Sequence, residues 1–342
     1  MLDFLRITGT SFEVGQALGR FGARAMHSYA QTSSAWSQLM RWRGHPRVLT
    51  MARLVRERHP DYWQELKGLA QGLGLPEEDV FIWNCRGDLW AMTPDGCTTL
   101  QYPGPLPLIA HNEDGDPAFG GHCAIAQISI TNGGRFTSFV YPGSVPGHTF
   151  AVTEAGMVMT VNNLRSLQAE AGLPRMLLTR ALLDMDHVEA AISYLRTSPR
   201  AGGFHLTLAQ AGATDIASVE FCNALVSVQA VDQRSLHANH MVHAAMTHQP
   251  QIITRSSSNR QTQGMELLQR SQHPDALDIL FDRSHLNFPI YRDAPDDSDN
   301  EHTMATAVFE VGEQAVDWQV YAGACRSSLF IMRNAQRCEL VS

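Results

Sequence analysis

The chain has 342 residues, 44% of them hydrophobic and 18% charged, with a formal net charge of −8. That length leaves room for one large domain or two smaller ones around a sizeable core. The acidic balance excludes a basic field for nucleic acid or an anionic membrane surface, and the single lysine, Lys67, rules out a Gly-Lys-Ser/Thr phosphate loop.

Residues 1–96 read as mostly helical. Thr10-Ser11-Phe12-Glu13 supplies an N-terminal cap, and apolar residues follow at helical spacing to Ala25. Residues 60–73 repeat that pattern with Gly74 as a stop, and Pro76-Glu77-Glu78-Asp79 opens a further helix with acidic residues at its positive end. The texture changes at Cys97. Short β-rich runs follow at 98–102, 106–110, 123–130, 136–141, 149–153 and 156–161, separated by Gly, Pro and Asn. Helices are expected at 174–183 and 188–195, strands at 204–209, 215–220, 224–230 and 236–238, helices at 259–271 and 276–282, and strands again at 303–310, 315–321 and 328–332. Alternating strand and helix blocks predict an α+β protein with two antiparallel sheets between layers of helices. The acidic stretch 293–301 lacks the glycine of a calcium loop.

Six cysteines at 85, 97, 123, 222, 325 and 338 show no Cys-x-x-Cys pair, so neither a zinc ribbon nor a disulfide scaffold is expected. The first residues carry Asp3 and no long apolar run, which reads as neither a signal peptide nor a membrane span; a cytoplasmic location with free thiols is the expectation.

Cys97 stands where the helical leader meets the sheet-rich body, as a residue destined to become a new N-terminus would. An N-terminal cysteine carries a thiol nucleophile and an α-amine of ordinary pKa ~8 that serves as its base. Freeing that amine requires the Gly96–Cys97 peptide bond to break, by attack of the thiol on the preceding carbonyl and hydrolysis of the thioester. Glycine permits the close approach, and Thr98 and Thr99 suit a strand that holds the nucleophile. A hairpin through Pro103-Gly104-Pro105 returns Asp114 towards the cysteine, as a carboxylate for the α-ammonium. Asn239, at the end of a strand in His237-Ala238-Asn239-His240, offers an amide donor for an oxyanion.

On these residues the chain resembles the acyl-coenzyme A:6-aminopenicillanic acid acyltransferase family of self-cleaving N-terminal-nucleophile hydrolases. The resemblance runs through Gly9-Thr10-Ser11-Phe12-Glu13-Val14-Gly15, Pro60 to Ala70, Asp95-Gly96-Cys97-Thr98-Thr99, Asn112-x-Asp114, His237-x-Asn239-His240 and Phe288-Pro289-Ile290-Tyr291-Arg292, in order and at similar spacing. It implies a four-layer αββα N-terminal-nucleophile fold with a leader of residues 1–96 and a body of residues 97–342; the leader's apolar helical faces suggest that it stays associated with the body, and the chemistry needs no cofactor or metal. It implies Cys97 as nucleophile, Asp114 facing the new amine, Asn239 at the oxyanion and Arg292 in support. The substrate class is a small N-acyl amide that is hydrolysed, or an acyl thioester or amide whose acyl group passes to an amine. A homo-oligomer is compatible with this, and neither nucleic acid nor membrane is a partner. The chain departs from the pattern at Cys222, where the penicillin enzyme has a serine that helps processing, and at residues 339–342, which are no peroxisomal address.

Simpler readings stand beside these. Cys97 as a buried structural thiol, Asp114 as a turn residue, Asn239 as a strand-end cap and Arg292 as a surface partner of the acidic stretch are the alternatives. Arg86 either lines the pocket or bridges leader to body. His111 and Asn162 are possible pocket residues, as are Thr98 and Cys222. His148 is pocket lining, or the base of an ordinary cysteine hydrolase that needs no cleavage. A non-catalytic binding protein with the same fold is the third possibility. His237, His240, His243 and His248 would need a helix to converge on a metal, and the first of them ends a strand.

Overall fold

The computed structural model describes residues 2–293 and 299–338. Residues 339–342 and the centre of the acidic stretch, 294–298, lie outside the described residues. In chain order the leader comprises β1 (Asp3–Gly9), α1 (Ser11–Thr32), α2 (Ser34–Leu39), α3 (Pro46–Arg58), α4 (Pro60–Leu73), α5 (Glu77–Asn84) and α6 (Arg86–Leu89). There follow β2 (Asp95–Tyr102), β3 (Leu108–Gly115), β4 (Ala124–Ile130), β5 (Arg135–Val140), β6 (Phe150–Thr153), β7 (Met157–Asn163), α7 (Arg175–Leu182) and α8 (Val188–Thr197). The rest is β8 (Phe204–Gln210), β9 (Ile216–Phe221), β10 (Val226–Ala230), β11 (Ser235–His237), α9 (Arg255–Arg270), α10 (Ala276–Leu280), β12 (His302–Val311), β13 (Val316–Tyr321), β14 (Phe330–Arg333) and β15 (Gln336–Arg337).

The strands form two sheets, ordered β1-β4-β5-β6-β7-β8-β9-β10 and β11-β2-β3-β12-β13-β14-β15. Their inner faces meet through aromatic side chains: Phe150 of β6 lies 5.9 Å from Phe309 of β12 and 6.3 Å from Trp318 of β13, ring centre to ring centre. Helix α1 and, further along, α8 cover the first sheet; α9 and α10 cover the second. This is the four-layer αββα arrangement that the resemblance implies.

The leader is more than helices. Asp3–Gly9 pairs in parallel with Ala124–Ile130, an edge strand that the helical reading of residues 1–96 did not foresee. Helix α1 starts as its sequence indicates: Thr10 Oγ1 accepts from Glu13 N at 3.3 Å, and Glu13 accepts from Thr10 N at 2.8 Å. It crosses α4 at backbone contact. A Cβ on Gly15 would lie 1.9 Å from the Glu65 carbonyl oxygen, and one on Gly68 would lie 1.9 Å from that of Phe12, so only glycine fits either position. Where the chain leaves the leader it runs straight into β2. The hairpin at Pro103–Pro105 then sets β3 in register, with Gly96 opposite Asp114, Cys97 opposite Glu113 and Thr99 opposite His111.

Candidate active site

Side chains alternate along β2 and β3, so Cys97 and Glu113, opposite one another, lie on the same face of their sheet. Cys97 is buried, 3% exposed. Its backbone N–H donates to Asn239 Oδ1 at 3.0 Å, and its carbonyl accepts from Arg260 Nη1 at 2.6 Å. The guanidinium of Arg260 also reaches Thr98 Oγ1 at 2.8 Å and, through Nη2, Asn239 Oδ1 at 2.7 Å. The Asn239 amide nitrogen donates to the Asn163 carbonyl at 3.1 Å, and its backbone N–H is anchored on Ser257 Oγ at 2.9 Å. One asparagine and one arginine, from the loop after β11 and from α9, thus fix both ends of the Cys97 residue.

Asp114 accepts a hydrogen bond from Thr303 Oγ1 at 2.6 Å, and Thr303 Oγ1 accepts from the Arg292 backbone N–H at 2.9 Å. The Arg292 side chain is fully buried; it donates to Ser256 Oγ at 2.7 Å and to the Glu301 carbonyl at 3.0 Å. Ser256 Oγ also receives Arg260 Nε at 3.2 Å, so the two arginines share one hydroxyl on α9.

Three carboxyl groups near Cys97 carry opposite perturbations. Asp95 is paired bidentately with Arg86, both contacts at 3.1 Å. Burial alone would raise its pKa, and the Arg86 charge outweighs burial and holds it at about 2. Glu301 is buried against Arg165 at 2.8 Å, and burial still lifts it to about 7. Its other oxygen faces the cysteine strand: a Cβ on Gly96 would stand 2.1 Å from Glu301 Oε2. Glu113 lies 3.7 Å from Cys97 Sγ, 3.2 Å from His111 Nε2 and 3.0 Å from the Tyr141 hydroxyl, and burial pushes its carboxyl well above the usual range. The Cys97 thiol is pushed up chiefly by burial and further by the Asp114 and Asp95 charges, and the Asn163 backbone N–H acts in the opposite sense.

The residues singled out in the sequence fall into two groups. Cys97, Thr98, Asn239, His111, Asn162, Asp114 and Arg292 belong to one connected network, with Asn162 receiving the Thr99 hydroxyl at 2.7 Å. Arg86 bridges leader and body by way of Ser144 Oγ at 3.3 Å and Met176 Sδ at 3.3 Å. His148 bonds the Val145 carbonyl at 3.0 Å, and burial and Arg86 hold it near 3; the histidine beside Cys97 is His111. Cys222 sits in a small apolar cluster with Leu164, Met241 and Met246. Of the clustered histidines, His237 binds Glu220 at 2.8 Å, His240 binds Ser257 at 2.8 Å and His243 binds Ser218 at 2.9 Å, and among the described residues they form no group that could share a metal ion. Sequence reasoning missed Arg260, Glu301 and Glu113, although Glu113 is the central residue of the Asn-x-Asp motif.

Among the described residues Cys97, His111 and Glu113 form the one group with ligand atoms close enough to share a cation, within 4.8 Å of one another. Hydrogen bonds link the three through Glu113 Oε2. A surface cavity of about 750 Å³ lined by residues such as Thr10, Arg58, Tyr62 and Asp184 shares no residue with this network. Beside the network a space of about 10 Å³ lies between Asp95, Tyr141, Tyr29, Trp83 and Arg86, and Cys97 itself is buried away from solvent.

All six cysteines are unpaired, and no described helix is long and apolar enough to cross a membrane. Comparison with known proteins gives three findings. The family model described as acyl-coenzyme A:6-aminopenicillanic acid acyl-transferase matches residues 103–324, which include Asp114, Asn239, Arg260 and Arg292. A beta-alanyl-dopamine/carcinine hydrolase of Drosophila melanogaster is 25% identical over 188 residues, 49% of this chain and 46% of that protein, so the alignment spans about half of the relative's length. The structure of penicillin V acylase from Agrobacterium tumefaciens covers 68% of this chain and 84% of its own, at 16% identity and a TM-score of 0.40. With more than half of its length matched by the family model, the chain belongs to the acyl-coenzyme A:6-aminopenicillanic acid acyl-transferase family, whose members transfer acyl groups or hydrolyse amides.

Proposed function

We propose that the chain is a precursor that cuts itself between Gly96 and Cys97 and then hydrolyses a small N-acyl amide through a thioester on Cys97. The observation that carries this reading is the clamp on the Cys97 residue. Asn239 and Arg260 hold its N–H and carbonyl, while Asp114 stands opposite Gly96 and Glu301 fills the space where a side chain on residue 96 would lie. A buried structural thiol needs none of these.

In the cleavage step the thiolate attacks the Gly96 carbonyl, the sulfur–carbon bond forms, the carbon–nitrogen bond breaks and the thiol's proton ends on the Cys97 nitrogen. Water then hydrolyses the thioester and releases residues 1–96 as a separate chain. In turnover the Cys97 thiolate attacks the substrate carbonyl, and its own α-amine carries the proton to the leaving amine. Asp114 orients that amine, Arg292 supports the arrangement through Thr303, and the Asn239 amide with backbone N–H groups stabilises the oxyanion. The Drosophila relative is named for β-alanyl-dopamine, an amide of a short acyl group with an amine, which supports hydrolysis of that class; the family description supports acyl transfer as the second reading. We place the enzyme in the cytoplasm, where its thiols stay reduced.

Intact mass of fresh and incubated protein tests the reading. Fragments 1–96 and 97–342 are expected in the wild type and not in Cys97→Ala. Release of free amine from a panel of N-acyl amines, with and without a second amine added, then separates hydrolysis from transfer. A wild-type chain still whole after prolonged incubation overturns the proposal.

A further inference from the structure

After cleavage the α-amine of Cys97 is available as a base. Before cleavage that nitrogen is an amide, so the first cut needs another acceptor for the thiol proton. Hydrogen-bond directions around β2 and β3 identify one. Asn162 donates from Nδ2 to the His237 carbonyl at 3.0 Å, which turns Oδ1 into a receiver. It receives the Thr99 hydroxyl proton at 2.7 Å. Thr99 Oγ1 has then given its only proton and accepts from His111 Nδ1 at 2.8 Å. In a neutral ring His111 Nε2 is therefore a bare lone pair. Glu113 Oε2 faces it at 3.2 Å, and since two lone pairs repel, a proton lies between them. Glu113 Oε1 is occupied by the Tyr141 hydroxyl, which leaves Oε2 to meet the Cys97 thiol at 3.7 Å.

We propose that Glu113 is a catalytic residue of the self-cleavage and His111 its positioning partner: Cys97 S–H gives its proton to Glu113 Oε2 as Glu113 gives its own to His111 Nε2. This rests on the self-cleavage reading above. The relay leaves a thiolate, a neutral Glu113 and a His111 imidazolium. When the thiolate has attacked Gly96, the proton returns along the same path and ends on the Cys97 nitrogen, so atoms and charge balance. The groups facing Glu113 are Asp95 and Cys97 on β2, His111 and Asp114 on β3, Tyr141 after β5 and Cys123 before β4. Burial, reinforced by the Asp95 and Asp114 charges, keeps Glu113 protonated, and burial holds His111 near 3, so the resting pair is neutral.

The test follows cleavage of the full chain by intact mass between pH 6 and 9. The relay makes the wild-type rate flat with pH. Glu113→Gln keeps the shape and removes the transferable proton; its rate at pH 7 is expected to fall by about 10²–10⁴-fold and to rise with pH by roughly tenfold per unit, because hydroxide must now take the thiol proton. Should that variant not fold, as judged by circular dichroism and Tm, Thr99→Val removes the acceptor that fixes the His111 tautomer and is expected to slow cleavage and bring in the same slope. A purely structural role for these side chains would leave the profile flat. If wild type and Glu113→Gln cut equally fast, the relay is overturned and self-cleavage stands. A wild-type chain that never cuts overturns both.

Discussion

Arg260 shows at the scale of one residue why the site needs a particular side chain. It is fully buried and makes four hydrogen bonds from one planar fork, to Cys97 O, Thr98 Oγ1, Asn239 Oδ1 and Ser256 Oγ. A lysine keeps the charge and loses the fork, since one nitrogen cannot sit in all of those directions. Arg260→Lys, placed in a Cys97→Ala chain so that cleavage does not intervene, is expected to lower stability by roughly 1.5–3 kcal/mol in urea unfolding. Arg283→Lys serves as the contrast: its ion pair with Asp293 is half exposed on both sides, and the expected change is under about 1 kcal/mol. Equal losses at the two positions would show that Arg260 does not organise the cysteine. Nothing local in the sequence marks Arg260, because its partner Cys97 lies 163 residues away and buried charges share their alphabet with surface ones. Cys97 and Asp114 were legible for the opposite reason. One short hairpin joins them, and the turn residues at 103–105 set its register.

At the scale of elements, strands β2 to β14 were readable from their β-branched and aromatic runs, the two-residue β15 was not, and most helices were readable from their periodicity and caps. The longer exception is β1. Its burial alternates poorly, and its partner β4 comes more than a hundred residues later in a parallel pairing that no hairpin announces. That strand bears on the proposed self-cleavage. The leader holds on by seven paired residues of β1, by the α1 packing beneath β4 and by the buried pair of Glu65 on α4 with Arg180 on α7, at 2.9 Å. Residues 1–96 and 97–342 are therefore expected to co-elute as one particle under native conditions and to separate only in denaturant. Size-exclusion chromatography followed by mass spectrometry reads this directly, and a leader that elutes by itself would remove it from the working enzyme.

The whole molecule brings its two sheets together over a set of buried charges, and Glu301 is where that set meets the proposed cleavage point. It leads into β12, pairs with Arg165 after β7 and faces Gly96 on β2. Burial raises its pKa from 4.5 to about 7 against the pull of Arg165, so between those values the folded chain holds a proton that the unfolded chain has released. By linkage its contribution to stability is fully present below pH 4.5 and is lost as pH rises through 7. Buried His111 and His148, both held near 3, act in the other direction, since charging them in the unfolded chain costs stability as pH falls from 6.5. Those terms are common to a Cys97→Ala chain and its Glu301→Gln derivative and cancel in the difference. The stability of Cys97→Ala minus that of the double variant is thus expected to decrease from pH 4.5 to pH 7, with a limiting slope of about 1.4 kcal/mol per pH unit. Urea midpoints at half-unit steps measure it. A difference that grows with pH would mean that Arg165 overcomes burial and that Gly96 faces a full negative charge, which would oppose a thiolate forming on the next residue.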